Sequence, residues 1–379
     1  MNNDHNNDHE KDVELEEDAV DLSALVKLSS DLKKGAKELT VGQARYLVDT
    51  YYQVQSFRIE AKNQARAAGE LDIKVKGVII KKREREPNEF TNWVGMLFRR
   101  LEGSIKTALG EYARSHRAGR WSQSIDGIGP VISAGLLAYI DITKTKSAGS
   151  ILRFAGLDPS QEWLGKDKSK VLVTQVLEEM SVGKENKEEK IKGKKKVKKI
   201  EITLDMIATC ASRSKLSYDT ILKNATKKDG SITKESLISS LSRRPWNGEL
   251  KVLTWKIGKS FEKVSGKSHA FYGQHYVKRK VFEHERNKAG RNKERSALIL
   301  TQKDWTKGTK SREAYEQGVF PDAHVNAMAR RWLVSLFLSH YYDVLYESTY
   351  GKKPQRPYVF EYGEHKHVDF ISPPNWPIE

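Results

Sequence analysis

Ser124-Ile-Asp-Gly-Ile-Gly-Pro-Val-Ile-Ser-Ala-Gly-Leu-Leu-Ala-Tyr139 is the stretch on which the reading of this 379-residue chain turns. Gly127 and Gly129 flank Ile128, and Pro130 opens a run of small and apolar residues. Glycine lets a backbone reverse tightly and come close to a ligand. Proline suits the first turn of a helix, where the donor it lacks would have no acceptor. The helix that follows aims its unpaired N–H groups and the positive end of its dipole at whatever lies beyond the turn, and such an end receives an anion. An apolar-Gly-Ile-Gly turn running straight into an apolar helix is how a helix-hairpin-helix holds a phosphate. Gly127, Ile128, Gly129 and Pro130 are therefore candidate contacts to a DNA backbone.

The charge of the chain points the same way. It carries a formal +17 at neutral pH, and residues 1–21 hold nine acidic side chains against one lysine, so the remainder is more basic than the whole. An excess of this size favours a polyanion, of which nucleic acid is the commonest. An anionic membrane surface competes, but no basic amphipathic helix with a lipid-facing stripe stands out. No run approaches the ~18 apolar residues that a membrane span needs, and the Asn/Asp/His-rich start lacks the basic-then-apolar plan of a signal peptide. The expectation is a cytoplasmic, nucleoid-associated protein with no membrane partner. Cys210 is the one cysteine, which excludes an intramolecular disulfide and a cysteine-based zinc site. Its plain role is a small apolar residue on a helix.

Periodicity predicts a mainly α fold: a helical N-terminal region, a helix-hairpin-helix DNA-binding domain and a helical C-terminal part. Residues 1–20 are too polar to offset the entropy of ordering and read as a disordered acidic tail. Residues 21–116 read as a helical, coiled-coil-like region without any period-two run. Its stripes include Tyr46, Leu47, Tyr51, Val54 and Phe57, then Phe90, Trp93, Leu97, Leu101, Ile105 and Leu109. Such stripes make core or a dimer seam, so a homodimer through these helices is one expectation. Residues 117–165 hold the hairpin, and Ser147 to Pro159 within them suggest a shorter helix and a second, degenerate hairpin. Residues 166–200 read as a charged linker, of low complexity over 183–199. Residues 201–242 read as a small helical insert, either for packing or, through 203–222, as a helix-turn-helix. Residues 243–379 complete the helical C-terminal part. Its helices centre on Leu250 to Phe261, Ala270 to Asn292 and Val325 to Tyr346, and Pro373-Pro-Asn-Trp-Pro377 is expected to lie extended across a surface groove.

At this level of detail the chain resembles a known family. Gly127-Ile-Gly-Pro-Val, the following Leu136-Leu-Ala138, Ser147-Ala148 and Phe154-Ala-Gly-Leu-Asp-Pro159 are together similar to the C-terminal domain of insertion-sequence transposases of the IS-one-ten type, which include the Piv DNA invertases. Ser242-Arg-Arg-Pro-Trp-Asn247 before Leu250-Lys251 looks like the family's Ser-Lys-Arg-Gly-Asn segment, with Pro245-Trp246 in place of its glycine. About eighty residues intervene between Trp163 and Arg243, where the family is compact. The resemblance implies DNA binding, transposition or recombination, and mobile-element origin. It also implies a RuvC-like, metal-holding nuclease domain of β-rich fold, for which residues 1–115 offer no seat.

Lys144, Lys146, Arg153, Arg243 and Arg244 are the expected cationic helpers of the hairpin. The resemblance also implies a serine nucleophile, for which Ser242 and Ser160 are the candidates. Arg243 and Arg244 give Ser242 charge but no base, and a helix cap, phosphate contact or turn explains each serine as well. A metal site is a further candidate, since His365-x-His367-x-Asp369 puts three ligand-type side chains on one face of an extended segment, with His340 on the preceding helix. Binding through the hairpin needs no cofactor, whereas a catalytic reading calls for Mg2+ or another divalent metal. Three readings stand at this point. They are a binder of duplex or junction DNA, an active transposase-like recombinase or nuclease, and a protein that binds structured RNA.

Overall fold

Hydrophobic stripes and end caps set the N-terminal elements. The computed structural model describes residues 28–68, 70–75, 78–83, 89–160, 163–181, 202–302, 305–355 and 370–378, and the chain divides into two units, 1–115 and 116–379. The expected acidic tail and the low-complexity run 183–199 lie outside the described residues. In the first unit Ser29 caps α1 (Ser30–Lys37), its hydroxyl accepting from the Leu32 N–H at 3.2 Å. Thr40 and Gln43 then bond reciprocally at the start of α2 (Val41–Ala68), which starts that helix as a capping box does. The partner of α2 is α3 (Glu89–Arg114), and the two run antiparallel. Gly95 faces Ala61, the Phe57 and Phe98 rings lie 5.7 Å apart, and Arg58 pairs with Glu102, which Gln55 also reaches at 2.9 Å. Val48, Val54, Ile105, Leu109 and Tyr112 are buried along this unit. Phe90 and Trp93, on the same stripe of α3, remain 69% and 49% exposed.

Between α2 and α3 stands a β-hairpin that the periodicity reading did not contain. β1 (Glu70–Val75) and β2 (Val78–Arg83) pair antiparallel from Glu70↔Arg83 to Val75↔Val78. Leu71, Ile73 and Val75 do alternate with Asp72 and Lys74, and two residues join the strands, the length of a tight hairpin loop. The fold is mainly α all the same.

The second unit is built around one helix. It opens with α4 (Arg117–Gln123), α5 (Pro130–Tyr139), a single 3-10 turn (Ile142–Lys144) and α6 (Ala148–Phe154). After an insert come α11 (Gly248–Lys263), α12 (Phe271–Lys288), α13 (Lys293–Thr301), α14 (Lys310–Glu316) and the 29-residue α15 (Asp322–Tyr350). α15 is the spine, packing against α4, α6, α11 and α12. Apolar residues occur all round it because neighbours cover it on several sides. Phe337 of α15 is fully buried, stacked 5.8 Å from Trp121 of α4 and edge-on to Phe261 of α11 and Tyr272 of α12, both at 5.3 Å.

The insert has its own core, and the expected linker needs correction. Residues 165–181 are not a charged spacer but α7 (Gly165–Ser181), whose Val173, Val176 and Leu177 are buried. They pack with Ile207 and Cys210 of α8 (Leu204–Ser214), Ile221 of α9 (Tyr218–Ala225) and Leu237 and Leu241 of α10 (Lys234–Leu241). The charged residues of α7 cluster at its two ends, and the buried face lies in the uncharged stretch 171–177 between them. Cys210 is the buried small residue expected, and burial pushes its thiol pKa up.

The Pro-rich end packs on α4 and α15. The Trp121 indole donates to the Pro374 carbonyl at 2.7 Å, Asn375 donates to the Ser124 carbonyl at 3.1 Å, and the Trp376 indole donates to Glu347 at 2.9 Å.

Candidate nucleic-acid interface

The glycine turn joins α4 to α5, and its two glycines do different work. Ile125 and Ile128 point into the core, each 5% exposed, and the Ile128 N–H closes the turn on the Ile125 carbonyl at 2.9 Å. Any contact of Ile128 with a ligand therefore comes from its backbone. Gly127 has φ +93°, and a Cβ there would stand 3.2 Å from Ser260 Oγ and 3.4 Å from the Phe261 ring. Its carbonyl accepts from the Ser260 hydroxyl, which docks the turn on α11. Gly127 is thus a requirement of the fold.

Gly129 is not. Its φ of −92° and ψ of 175° suit any residue, and nothing lies within 4 Å of where its Cβ would be. It is the N-cap of α5, where no side chain caps the helix and Pro130 brings no donor. The Val131 and Ile132 N–H groups, the next two, have no acceptor among the described residues. A bare backbone before an uncapped helix end is where an anion can approach closely. Asp126 is the acid beside this turn, with His269 3.7 Å away.

The candidate cations fall into separate groups. Lys144 and Lys146 follow the far end of α5, whose ten residues put about 15 Å between them and Gly129. They do not share a phosphate with the turn. Lys144 pairs with Asp141 at 2.9 Å, and the Asp141 side chain also accepts from Thr143, which with the lysine holds its carboxyl pKa down at about 2. Arg153 pairs with Asp158 at 3.1 Å. Arg243 donates to Asn224 at 2.8 Å, and Arg244 lies over the Trp163 ring, 4.9 Å from its centre.

Two of the blocks that carried the family resemblance meet in space. The Trp163 indole donates to the Ser242 carbonyl at 2.8 Å, and the Asn247 N–H donates to the Phe154 carbonyl at 2.9 Å. The chain leaves for the insert at Trp163 and returns at Ser242, so the block ending at Pro159 and the Ser242-Arg-Arg-Pro-Trp-Asn247 block adjoin as if the insert were absent.

The serines sit in ordinary local roles. The Ser242 hydroxyl donates to the Ser239 carbonyl at 3.0 Å, at the C-cap of α10. The Ser160 hydroxyl and N–H both donate to Asp158, at 2.7 and 2.9 Å. Those bonds, with Arg153, hold the Asp158 carboxyl pKa below its ordinary value, which makes it a poor base for its neighbour. His340 is 2% exposed, and both its ring nitrogens are engaged. Nε2 donates to the Ile371 carbonyl at 2.7 Å, and Nδ1 accepts from the Tyr272 hydroxyl at 2.7 Å, so neither offers a lone pair to a metal. His365, His367 and Asp369 lie outside the described residues, and among the described residues no three His, Cys, Asp or Glu side chains group as a metal site would require.

Sequence reading passed over a second set of side chains beside these blocks. Lys251 stands 3.7 Å over the Trp246 ring, Trp255 follows one turn later on α11 at 61% exposure, and Trp163 is 42% exposed. The signal available was a lysine and a tryptophan four apart on a helix whose apolar stripe runs along another face.

Residues 121–173 match the transposase IS116/IS110/IS902 family. The matched segment takes in the last three residues of α4, all of the glycine turn, α5 and α6, and the first half of α7, and it supports a role related to transposition. No curated protein and no solved structure matches the chain significantly. Among the described residues no helix is long and apolar enough to cross a membrane.

Proposed function

We propose that this chain is a DNA-binding protein of mobile-element origin that grips the sugar-phosphate backbone through the helix-hairpin-helix of α4, the glycine turn and α5. The observation that carries the reading is Gly129. It is a glycine that the fold does not require, at the uncapped start of a helix, inside the segment that matches the transposase family. A phosphate there takes hydrogen bonds from the first N–H groups of α5 without reading base edges, so preference falls on DNA shape, such as a bent duplex or a junction. Binding through this turn needs no metal.

The test is a titration of the purified chain against labelled duplex, four-way junction and structured RNA, with and without magnesium, with products run on a denaturing gel. Salt-sensitive duplex or junction binding that leaves the strands intact is the expected result. Cut strands or a protein-linked band in magnesium would replace this reading with a recombinase or nuclease. Binding confined to structured RNA would replace it with an RNA-binding one.

A further inference from the structure

We propose that Trp163, Trp246 and Trp255, with Arg244 and Lys251 beside them, form a second nucleic-acid site, a platform that takes an unpaired stretch of DNA. The proposal rests on the DNA-binding reading above for the identity of the polyanion, and it assigns to a different surface a different form of that ligand.

The platform is assembled where the chain returns from the insert. Trp163 is held by its bond to the Ser242 carbonyl, and Arg244 covers one side of its ring. Trp246 is pressed against the turn after α6, where a Cβ on Gly156 would come within 2.8 Å of its Cγ. Lys251 reaches over Trp246, and four residues on, Trp255 shares the Lys251 face of α11. Trp255 and Trp163 remain 61% and 42% exposed, and a packing role does not account for Trp255. Trp255 has no ring or cation partner among the described residues, and Phe154, whose carbonyl anchors Asn247, is itself 44% exposed.

The cations here differ from those near α5. Lys144 and Arg153 sit in ion pairs, whereas Arg244 and Lys251 have no carboxylate partner among the described residues. Burial lowers the Lys251 pKa first, and the nearby charges of Arg244 and Arg331 lower it further. Like charges kept close, with Glu249 the one acid between Arg243 and Lys251, form a surface complementary to phosphate. The exposed indole of Trp255 adds the discrimination. In a duplex the base faces are stacked on one another, while an unpaired base offers its face to tryptophan as its phosphates meet the cations.

The experiment measures anisotropy of labelled strands of about 15 thymidines or 15 uridines, a length that covers a single-strand site, alongside a labelled duplex. The proteins are the full chain, Trp255→Ala, Arg244→Ala and Gly129→Val, each checked for its thermal melt. The thymidine strand should bind the wild type, and Trp255→Ala should weaken it about tenfold, as loss of one base-stacking ring does. Arg244→Ala should weaken it comparably. Duplex affinity should change less than twofold in both variants, while Gly129→Val should show the reverse pattern. Wild-type binding to duplex without binding to either single strand overturns the platform and leaves the backbone-binding reading standing. Unchanged thymidine affinity in folded Trp255→Ala and Arg244→Ala also overturns it. A tighter complex with uridine than with thymidine overturns the assignment to DNA.

Discussion

Replacing Gly129 with valine separates binding from folding in a way that replacing Gly127 does not. At Gly129 the backbone is extended and a Cβ meets nothing, so the substitution costs the fold little. Removing a glycine's freedom in the unfolded chain contributes about 0.4–1 kcal/mol in favour of the folded state at compatible sites. At Gly127 a Cβ carries the left-handed penalty, about 1–2 kcal/mol, and needs Ser260 to move from 3.2 Å. A bulky side chain at Gly129 holds a phosphate off the N–H groups of α5. Each hydrogen bond to a charged group contributes about 1.5–3 kcal/mol, so loss of one weakens duplex binding by roughly 10- to 150-fold. The assay pairs a urea melt with duplex anisotropy at one fixed salt concentration. Gly129→Val should stay within about 1 kcal/mol of wild-type stability, the N-cap preference for glycine offsetting the unfolded-state gain, and bind at least tenfold more weakly. A variant with wild-type stability and wild-type affinity would refute the reasoning and remove the turn from the mechanism. Weak binding by Gly127→Ala carries no such information, because the same change undermines the seat of the turn on α11.

Three further outcomes follow from the packing. Phe337→Ala should destabilise the second unit by about 3–5 kcal/mol in a urea melt, since it removes the ring between Trp121, Phe261 and Tyr272 at the middle of the spine helix. Burial lowers the His340 pKa to about 4, so the unfolded chain takes up a proton below pH 6.5 that the folded one refuses. Its stabilisation is full above pH 6.5 and is lost as pH falls towards 4, by about 3 kcal/mol in all. Asp343, three residues on, is raised to about 6 by burial and by Glu347 and works in the opposite direction between pH 6 and 4. Asp343→Asn should therefore lose more stability than wild type between pH 7 and 4.5; parallel curves in chemical melts would count against the Asp343 assignment, and an Asp343→Asn curve flat over this range against that of His340. A homodimer through α3 would bury the exposed Phe90 and Trp93, so Trp93→Glu should shift it to monomer in sedimentation, and a wild type that is monomeric at high concentration would end that expectation.

The helices legible in the sequence were those with long, uninterrupted stripes. α3, α11, α12 and α15 fall within a few residues of their expected ranges, because burial along one element imposes a period that survives local noise. The hairpin 70–83 was missed because its alternation spans a handful of residues between two much longer helical signals. α7 was missed for another reason. Charged residues at both of its ends, 166–170 and 178–179, read as one with the charged run beyond, although Val173, Val176 and Leu177 keep helical spacing between them. At the candidate site, the turn was legible because Gly-Ile-Gly-Pro is a local pattern. The different roles of its two glycines were not, since what distinguishes them is Ser260, 133 residues away. The tryptophan platform was illegible for the same reason, as Trp163 and Arg244 become neighbours only when α7 to α10 loop out and the chain returns.

The excess of positive charge that first pointed to a polyanion is also not evenly available to one. Lys144 is 84% exposed, yet Asp141 beside it stays ionised down to about pH 2. An exposed pair of this kind is weak, at roughly 0–1 kcal/mol, so a phosphate can draw the lysine away. The carboxylate then remains behind and repels the same phosphate, leaving little net attraction from the pair. Asp158 imposes the same limit on Arg153, and Glu262 on Arg330. Arg244 and Lys251 face indole rings rather than acids, and a ring can keep its cation while the cation meets a phosphate. The counterions released when an unpaired strand binds should thus come chiefly from around the segment that returns from the insert, even though the residues nearest the glycine turn in sequence look equally basic. In this fold the helix end and the cations divide the work. The turn offers a duplex fixed backbone dipoles, and the tryptophan-lined surface offers an unpaired strand its charge.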